Sequence, residues 1–231
     1  TLSHEMFHSL GAPDLYRYDN DGVPVGPWDI MANGKGHPGA WMKYKYGGWI
    51  DKIPEIQHSG TYTLKPVTAP GGNSWIIRSS LTDEQFFVLE YRLKTGLYES
   101  SLPSSGMVIQ RIDTRYRGNA RGGPDEVYVF RKNGTPTFNG QIDQAALSDL
   151  NGTSSFNDRT NPFSFLQDGA NAGIKITDII SRGDSLLFTV DLDDPAGIEM
   201  MPVDDNAMDV SWKALGTTAF ILAGSESREP L

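Results

Sequence analysis

The 231-residue sequence contains no cysteine. Disulfides, thiolate nucleophiles and thiolate metal sites are therefore excluded. No apolar run approaches the roughly 20 residues that span a bilayer. Basic residues are in the minority: 20 Lys and Arg stand against 29 Asp and Glu, for a net charge of -9. That balance argues against nucleic acid or an anionic membrane surface as the main partner. The cluster Arg111, Arg115, Arg117 and Arg121 is the one basic exception, and it reads as a solvated hairpin end. There is no long internal repeat and no low-complexity tract. Hydrophobic residues make up 38%, enough for a folded core, and the length suits one large domain or two modest ones.

The most informative stretch is the first. Residues 1–14 read Thr-Leu-Ser-His-Glu-Met-Phe-His-Ser-Leu-Gly-Ala-Pro-Asp and contain His-Glu-x-x-His. Four residues apart on a helix, His4 and His8 share one face and can point imidazole nitrogens at one ion, at about 2.0–2.1 Å for zinc. Glu5 lies about 100° further round, too far to ligate with them but well placed as a general base beside the ion. Gly11 and Pro13 end the helix and turn the chain back. Asp14 is the first carboxylate after that turn, and carboxylate is an accepted zinc ligand. A bare His-Glu-x-x-His can also be two surface histidines and a glutamate.

The full pattern, His-Glu-x-x-His-x-x-Gly-x-x-Asp, resembles the metzincin signature with Asp in place of its last His. Residues 28–34, Trp-Asp-Ile-Met-Ala-Asn-Gly, resemble the methionine-bearing turn of that class. Residues 38–49, 87–96 and 102–113 resemble the segments that follow it in the M6 (immune inhibitor A-like) family of secreted bacterial metalloproteases. With gaps, the resemblance runs from residue 1 to about 192. It implies a zinc endopeptidase in which His4, His8 and Asp14 hold Zn²⁺ and Glu5 is the general base. Met31 would be a packing floor rather than a ligand. It also implies a polypeptide substrate and a secreted or cell-surface bacterial location, which suits a chain without cysteine. Tyr16 and Tyr18 are candidates for a second donor, with packing as the default for each. Asp29 is expected to cap or orient the methionine turn. His37 is either a donor to the site or a loop histidine. In that family a sheet and helices precede the metal helix, so the chain is expected to be a C-terminal fragment, inactive as a protease by itself.

Beyond residue 15 the chain is first loop-rich, with Tyr18-Asp19-Asn20-Asp21-Gly22 only superficially like a calcium loop, since the EF-hand spacing is absent. A short helix is expected over residues 40–46, ended by Gly47 and Gly48. From Gly60 the period changes to two. Strands are expected over residues 61–64, 75–78, 85–92, 106–112, 126–130, 174–180 and 185–191, the last two forming a hairpin. Many short strands with regular turn signals predict an antiparallel β-sandwich. Residues 143–150 suit one short helix. Asn157, Asp158 and Asp168 are either a calcium-binding loop, which would make Ca²⁺ a second cofactor, or a loop without metal. Residues 193–231 read as a linker and then either the opening of a fibronectin type III-like module or an appended hairpin.

The expected fold is mainly β: the C-terminal part of a metzincin-like α+β catalytic domain over residues 1–52, then the sandwich over 53–192. A rival reading makes the protein a non-catalytic β-sandwich that binds carbohydrate or protein, with the metal helix a remnant at its edge. A third makes the metal site purely structural. Glu5 argues against that one, because a closed structural site needs no base.

Overall fold

The alternating segments after residue 60 form β1 (Gly60–Leu64), β2 (Ser74–Arg78), β3 (Gln85–Arg92), β4 (Gly106–Asp113), β5 (Val127–Val129), β6 (Ile176–Ser181) and β7 (Leu186–Val190). The computed structural model describes residues 2–19, 21–33, 36–70, 73–192, 198–204 and 207–212. The chain divides into two units, residues 1–192 and 193–231.

In the first unit the strands make two antiparallel sheets, one in the order β2-β3-β4-β5 and one in the order β1-β7-β6. The mainly-β class is therefore as expected, and each expected strand is present within two residues of its bounds. Arg182 N–H donates to Ser185 O at 2.8 Å and closes the β6–β7 hairpin. Gly183 takes the left-handed conformation there, φ 77°.

All eight residues of β3 and all eight of β4 are buried. Successive side chains of a strand point to opposite faces, so a fully buried strand is covered on both. On one face Phe87, Leu89, Met107 and Ile109 share a core with Leu64, Ile176, Leu186 and Phe188 of the three-stranded sheet. On the other, Phe86, Val88, Val108 and Ile112 share a core with Phe7, Trp28, Met31, Trp41 and Met42. The expected boundary at 52/53 falls inside this unit, where residues from both sides of it pack together.

The second face is built by short helices. These are α1 (Leu2–Ser9), α2 (Ile30–Asn33) and α3 (Ala40–Met42), whose end widens into a π turn over Lys43–Gly47. Gly48 closes it in the left-handed conformation, φ 63°, with its N–H on Lys43 O. A further turn, α4 (Gly96–Glu99), links β3 to β4. Residues 143–150 do not form the expected helix. Two single 3₁₀ turns, Ile142–Gln144 and Asp149–Asn151, flank an extended Leu147 that exchanges both backbone hydrogen bonds with Met107 at 2.8 Å. Pairing with the end of β4 outweighs the weak local preference of that segment for helix.

In the second unit β8 (Ile198–Asp204) pairs antiparallel with β9 (Ala207–Trp212). The rest of the segment read as a module opening or an appended hairpin, residues 213–231, lies outside the described residues.

Candidate metal centre

Helix α1 buries His4 and Phe7 and exposes Glu5. It ends as its sequence predicts. Gly11 N–H donates to His8 O at 2.8 Å and Ala12 N–H to Phe7 O at 3.3 Å, with Gly11 at φ 93°. The reversal returns Asp14 to the face that carries both histidines.

The three side chains meet. Their ligand atoms lie within 4.8 Å of one another. His4 Nδ1 sits 2.8 Å from Ile30 O, and His8 Nδ1 sits 2.8 Å from Ala12 O. A carbonyl oxygen only accepts, so each Nδ1 carries a proton, and in that neutral tautomer an imidazole turns the lone pair of Nε2 inward. Those two nitrogens lie 3.0 and 3.4 Å from the same oxygen, Asp14 Oδ1. In that tautomer no hydrogen lies between these atoms and the oxygen. Asp14 Oδ1 is buried and has no hydrogen-bond partner. Three lone-pair atoms facing one another repel unless a cation lies among them, either an added proton on an imidazole or a metal ion. Two imidazole nitrogens and a carboxylate oxygen are a donor set that zinc accepts, so the residues present fit that ion.

The surroundings hold the three in place. Tyr18 donates its hydroxyl to Asp14 Oδ2, which leaves Oδ1 for the cluster. That hydrogen bond, with burial, pushes the Tyr18 phenol above its ordinary range. Tyr16 is exposed, its ring 6.4 Å from that of His4 and 5.2 Å from that of Tyr18. Of the two tyrosines, Tyr18 thus touches a member of the cluster. Glu5 follows His4 directly and, exposed, has no hydrogen-bond partner among the described residues.

Met31 is fully buried, and its carbonyl accepts from Leu15 N–H at 3.0 Å, next to Asp14. Asp29 does orient this turn. Its Oδ1 accepts from Met31 N–H at 2.7 Å and its Oδ2 from Gly39 N–H at 2.5 Å. Burial pushes the Asp29 carboxyl up to about 6, although both amides favour the charged form. Nearby lies a buried ionic group that the sequence analysis did not single out. Arg92 pairs bidentately with Glu99 at 2.6 and 2.7 Å, meets Glu90 at 3.0 Å and donates to Trp28 O. Glu90 accepts from Ala40 N–H at 2.6 Å. Burial opposes ionisation of Glu99, but the pairing with Arg92 prevails and holds its carboxyl below the usual range.

Beside α1 opens a recess of about 630 Å³ lined by Ser3, Phe7, Ile30, His37, Lys43 and Tyr98, among others. Ser3 precedes His4, and Ile30 carries the carbonyl that His4 binds, so the recess adjoins the cluster. His37 is not a donor to the three ligand side chains. Its ring stands edge-on to Tyr98 at 5.3 Å, its N–H binds Glu99 at 3.1 Å, and burial lowers its affinity for a proton.

No other group of three acidic or imidazole side chains converges among the described residues. Asp158 is engaged by Ser164 and by Gly173 N–H, and Asp168 by Ala170 N–H. The arginine cluster is only partly a solvated hairpin end. Arg111 is buried against Tyr128 and Phe165, with ring distances of 5.0 and 5.3 Å, and Arg117 reaches Gly11 O at 2.8 Å. Among the described residues no helix is long and apolar enough to cross a membrane.

No protein-family model matches the sequence, and comparison with curated proteins and with solved structures gives no match.

Proposed function

We propose that the protein is a zinc-dependent endopeptidase, secreted or at the cell surface of a bacterium, related to the M6 metzincin-type proteases that its motifs resemble. The observation that carries this reading is the meeting of His4 Nε2, His8 Nε2 and Asp14 Oδ1 with no hydrogen-bond partner for that oxygen. A bound zinc ion polarises a carbonyl and acidifies a water near neutral pH. The chain's own residues supply the rest. The carbonyls of Ile30 and Ala12 fix both imidazoles in the ligating tautomer. Tyr18 orients Asp14. Glu5 takes a proton on its carboxylate and passes it to the departing amine. An extended polypeptide lying past α1 would place one side chain in the recess beside Phe7 and His37.

The rival, a sandwich that binds carbohydrate, needs an exposed aromatic platform. The exposed positions of β1 are Thr61 and Thr63, and Thr61 bonds Thr189 of β7 through their hydroxyls at 3.2 Å. No aromatic side chain of β1, β6 or β7 is among the exposed large hydrophobics. Hydroxyls there do not favour the rival.

The test is metal content joined to turnover. The purified protein should carry about one zinc and His8→Ala none, and casein hydrolysis by the zinc-loaded full-length protein should disappear in Glu5→Gln. Equal zinc in protein and variant, or hydrolysis untouched by Glu5→Gln, overturns the proposal.

A further inference from the structure

The segment that bears Asp14 is gripped along its length by the connection between β4 and β5. Arg117 Nη2 donates to Gly11 O at 2.8 Å, across 106 residues of sequence. Gly118 lies against the next step of the turn. It adopts φ +70°, and a Cβ there would stand 2.6 Å from Pro13 Cβ and 2.8 Å from Asp14 O. Asn119 N–H donates to Asp14 O at 2.9 Å. The Asn119 side chain is 1% exposed and satisfied on every side. Its Nδ2 donates to Leu15 O at 3.1 Å and Val127 O at 2.7 Å, and its Oδ1 accepts from Val127 N–H at 3.2 Å. Further on, Ala120 O accepts from Tyr18 N–H at 3.1 Å. Asp125 pairs with Arg17 at 2.6 and 3.2 Å. The contacts run in step, so the turn has one path.

We propose that the β4–β5 connection, through Arg117, Gly118 and Asn119, is the positioning element for Asp14, and that it sets the affinity of the cluster for its metal ion. The inference rests on the metal reading above. Neither the Arg117 nor the Asn119 side chain touches the cluster, and Gly118 has none. They act through the backbone of residues 11–15, which fixes where Oδ1 stands relative to the two imidazoles. A carboxylate displaced by about 1 Å no longer shares an ion with two nitrogens that their own carbonyls hold in place.

The experiment titrates the whole chain with cobalt(II), whose visible absorption reports the ligand set, and obtains zinc affinity by competition. Asn119→Ala removes three hydrogen bonds and should weaken zinc binding at least tenfold, with weaker cobalt absorption. Arg117→Ala should weaken it several-fold, and Arg117→Lys, which still reaches a carbonyl, should restore most of it. Arg117 is the safeguard should Asn119→Ala fold poorly. Leu186→Ala, in the core shared with the three-stranded sheet, should lower the thermal midpoint and leave zinc affinity within twofold. Zinc affinity within twofold of the unaltered chain in both Asn119→Ala and Arg117→Ala overturns the inference. So does a loss in Leu186→Ala as large as theirs, since affinity would then follow stability alone. An unaltered chain that binds neither ion overturns the metal reading itself, and this inference with it.

Discussion

His4 Nδ1 and Ile30 O are joined by a 2.8 Å hydrogen bond across 26 residues of sequence. One contact puts a proton on Nδ1 of a candidate ligand and pins helix α1 to the turn that contains Met31. The Met31 side chain belongs to the core beneath and makes no such contact itself. Met31→Leu conserves volume and should cost under about 1.5 kcal/mol, with zinc content unchanged. Met31→Ala leaves a cavity and should cost about 2–5 kcal/mol in urea unfolding. Loss of zinc in Met31→Leu would show that the thioether does more than pack.

Tyr18 offers a more local test. Tyr18→Phe keeps the ring and deletes the donor to Asp14 Oδ2. Groups that orient a ligand commonly change metal affinity by about 10–100-fold. Zinc competition should therefore show a loss of about tenfold with an unchanged unfolding midpoint. In the metal-free protein, Asp14→Asn should bring one tyrosine ionisation back towards its ordinary range in absorbance at alkaline pH, because the phenol is held up first by that carboxylate. A phenol that titrates identically in both proteins removes the assigned hydrogen bond.

Asp29 gives the pH dependence. Its carboxyl titrates at about 6 in the fold and near 3.9 in an unfolded chain. Between those values the folded state holds the proton more tightly, so this contribution to stability is present below about 4 and lost as pH rises through about 6. Roughly two pH units correspond to about 3 kcal/mol. Asp29→Asn cannot titrate, and its amide accepts from only one of the two N–H groups. The variant should be the less stable at pH 4 and should gain on the parent by about that amount towards pH 7. Urea unfolding of both proteins across the range measures it; a constant gap between them contradicts the assignment.

Glu126 is buried and ties the 40–47 helix to the loop beside Asp14. It accepts from Trp41 Nε1 at 2.9 Å, Lys45 Nζ at 2.9 Å, Tyr46 OH at 2.9 Å and Gly118 N–H at 2.6 Å. Glu126→Ala leaves four donors unanswered and the Lys45 charge unpaired, a loss of about 3–5 kcal/mol. A change under about 1 kcal/mol in chemical unfolding would mean that water replaces the carboxylate without penalty.

The strands and the convergence of His4, His8 and Asp14 were legible because their signals are local. Period-two alternation marks β1 to β7, and a helix followed by Gly11 and Pro13 aims Asp14 backwards. What escaped is long-range. Glu90, Arg92, Gln110, Arg111 and Asp113 occur in β3 and β4 as polar residues, and one solvated face is the usual reading of such alternation. They are buried with partners that alternation does not reveal: Glu90 accepts from Ala40 N–H, Arg92 pairs with Glu99 and donates to Trp28 O, Gln110 donates to Glu90, Arg111 donates to Gln167, and Asp113 pairs with Arg115. Asn119 had no signal at all. It looks like any loop asparagine until its side chain is seen between Leu15 and Val127.

A sheet clad on both faces leaves no seam along which residues 1–192 divide. A protease that nicks the exposed link between Asp51 and Lys52 should yield two pieces that stay together, because the cut pieces share the core on the helical face. The amides of β4, bonded to β3 and β5 and roofed on either side, should be the last to exchange with heavy water. The helical layer and the two sheets are in that sense a single unit. Grafting the His-Glu-x-x-His segment onto another sandwich would leave Phe7, Trp28 and Trp41 without their counterpart, and Phe86 and Val88 bare on the sheet they came from.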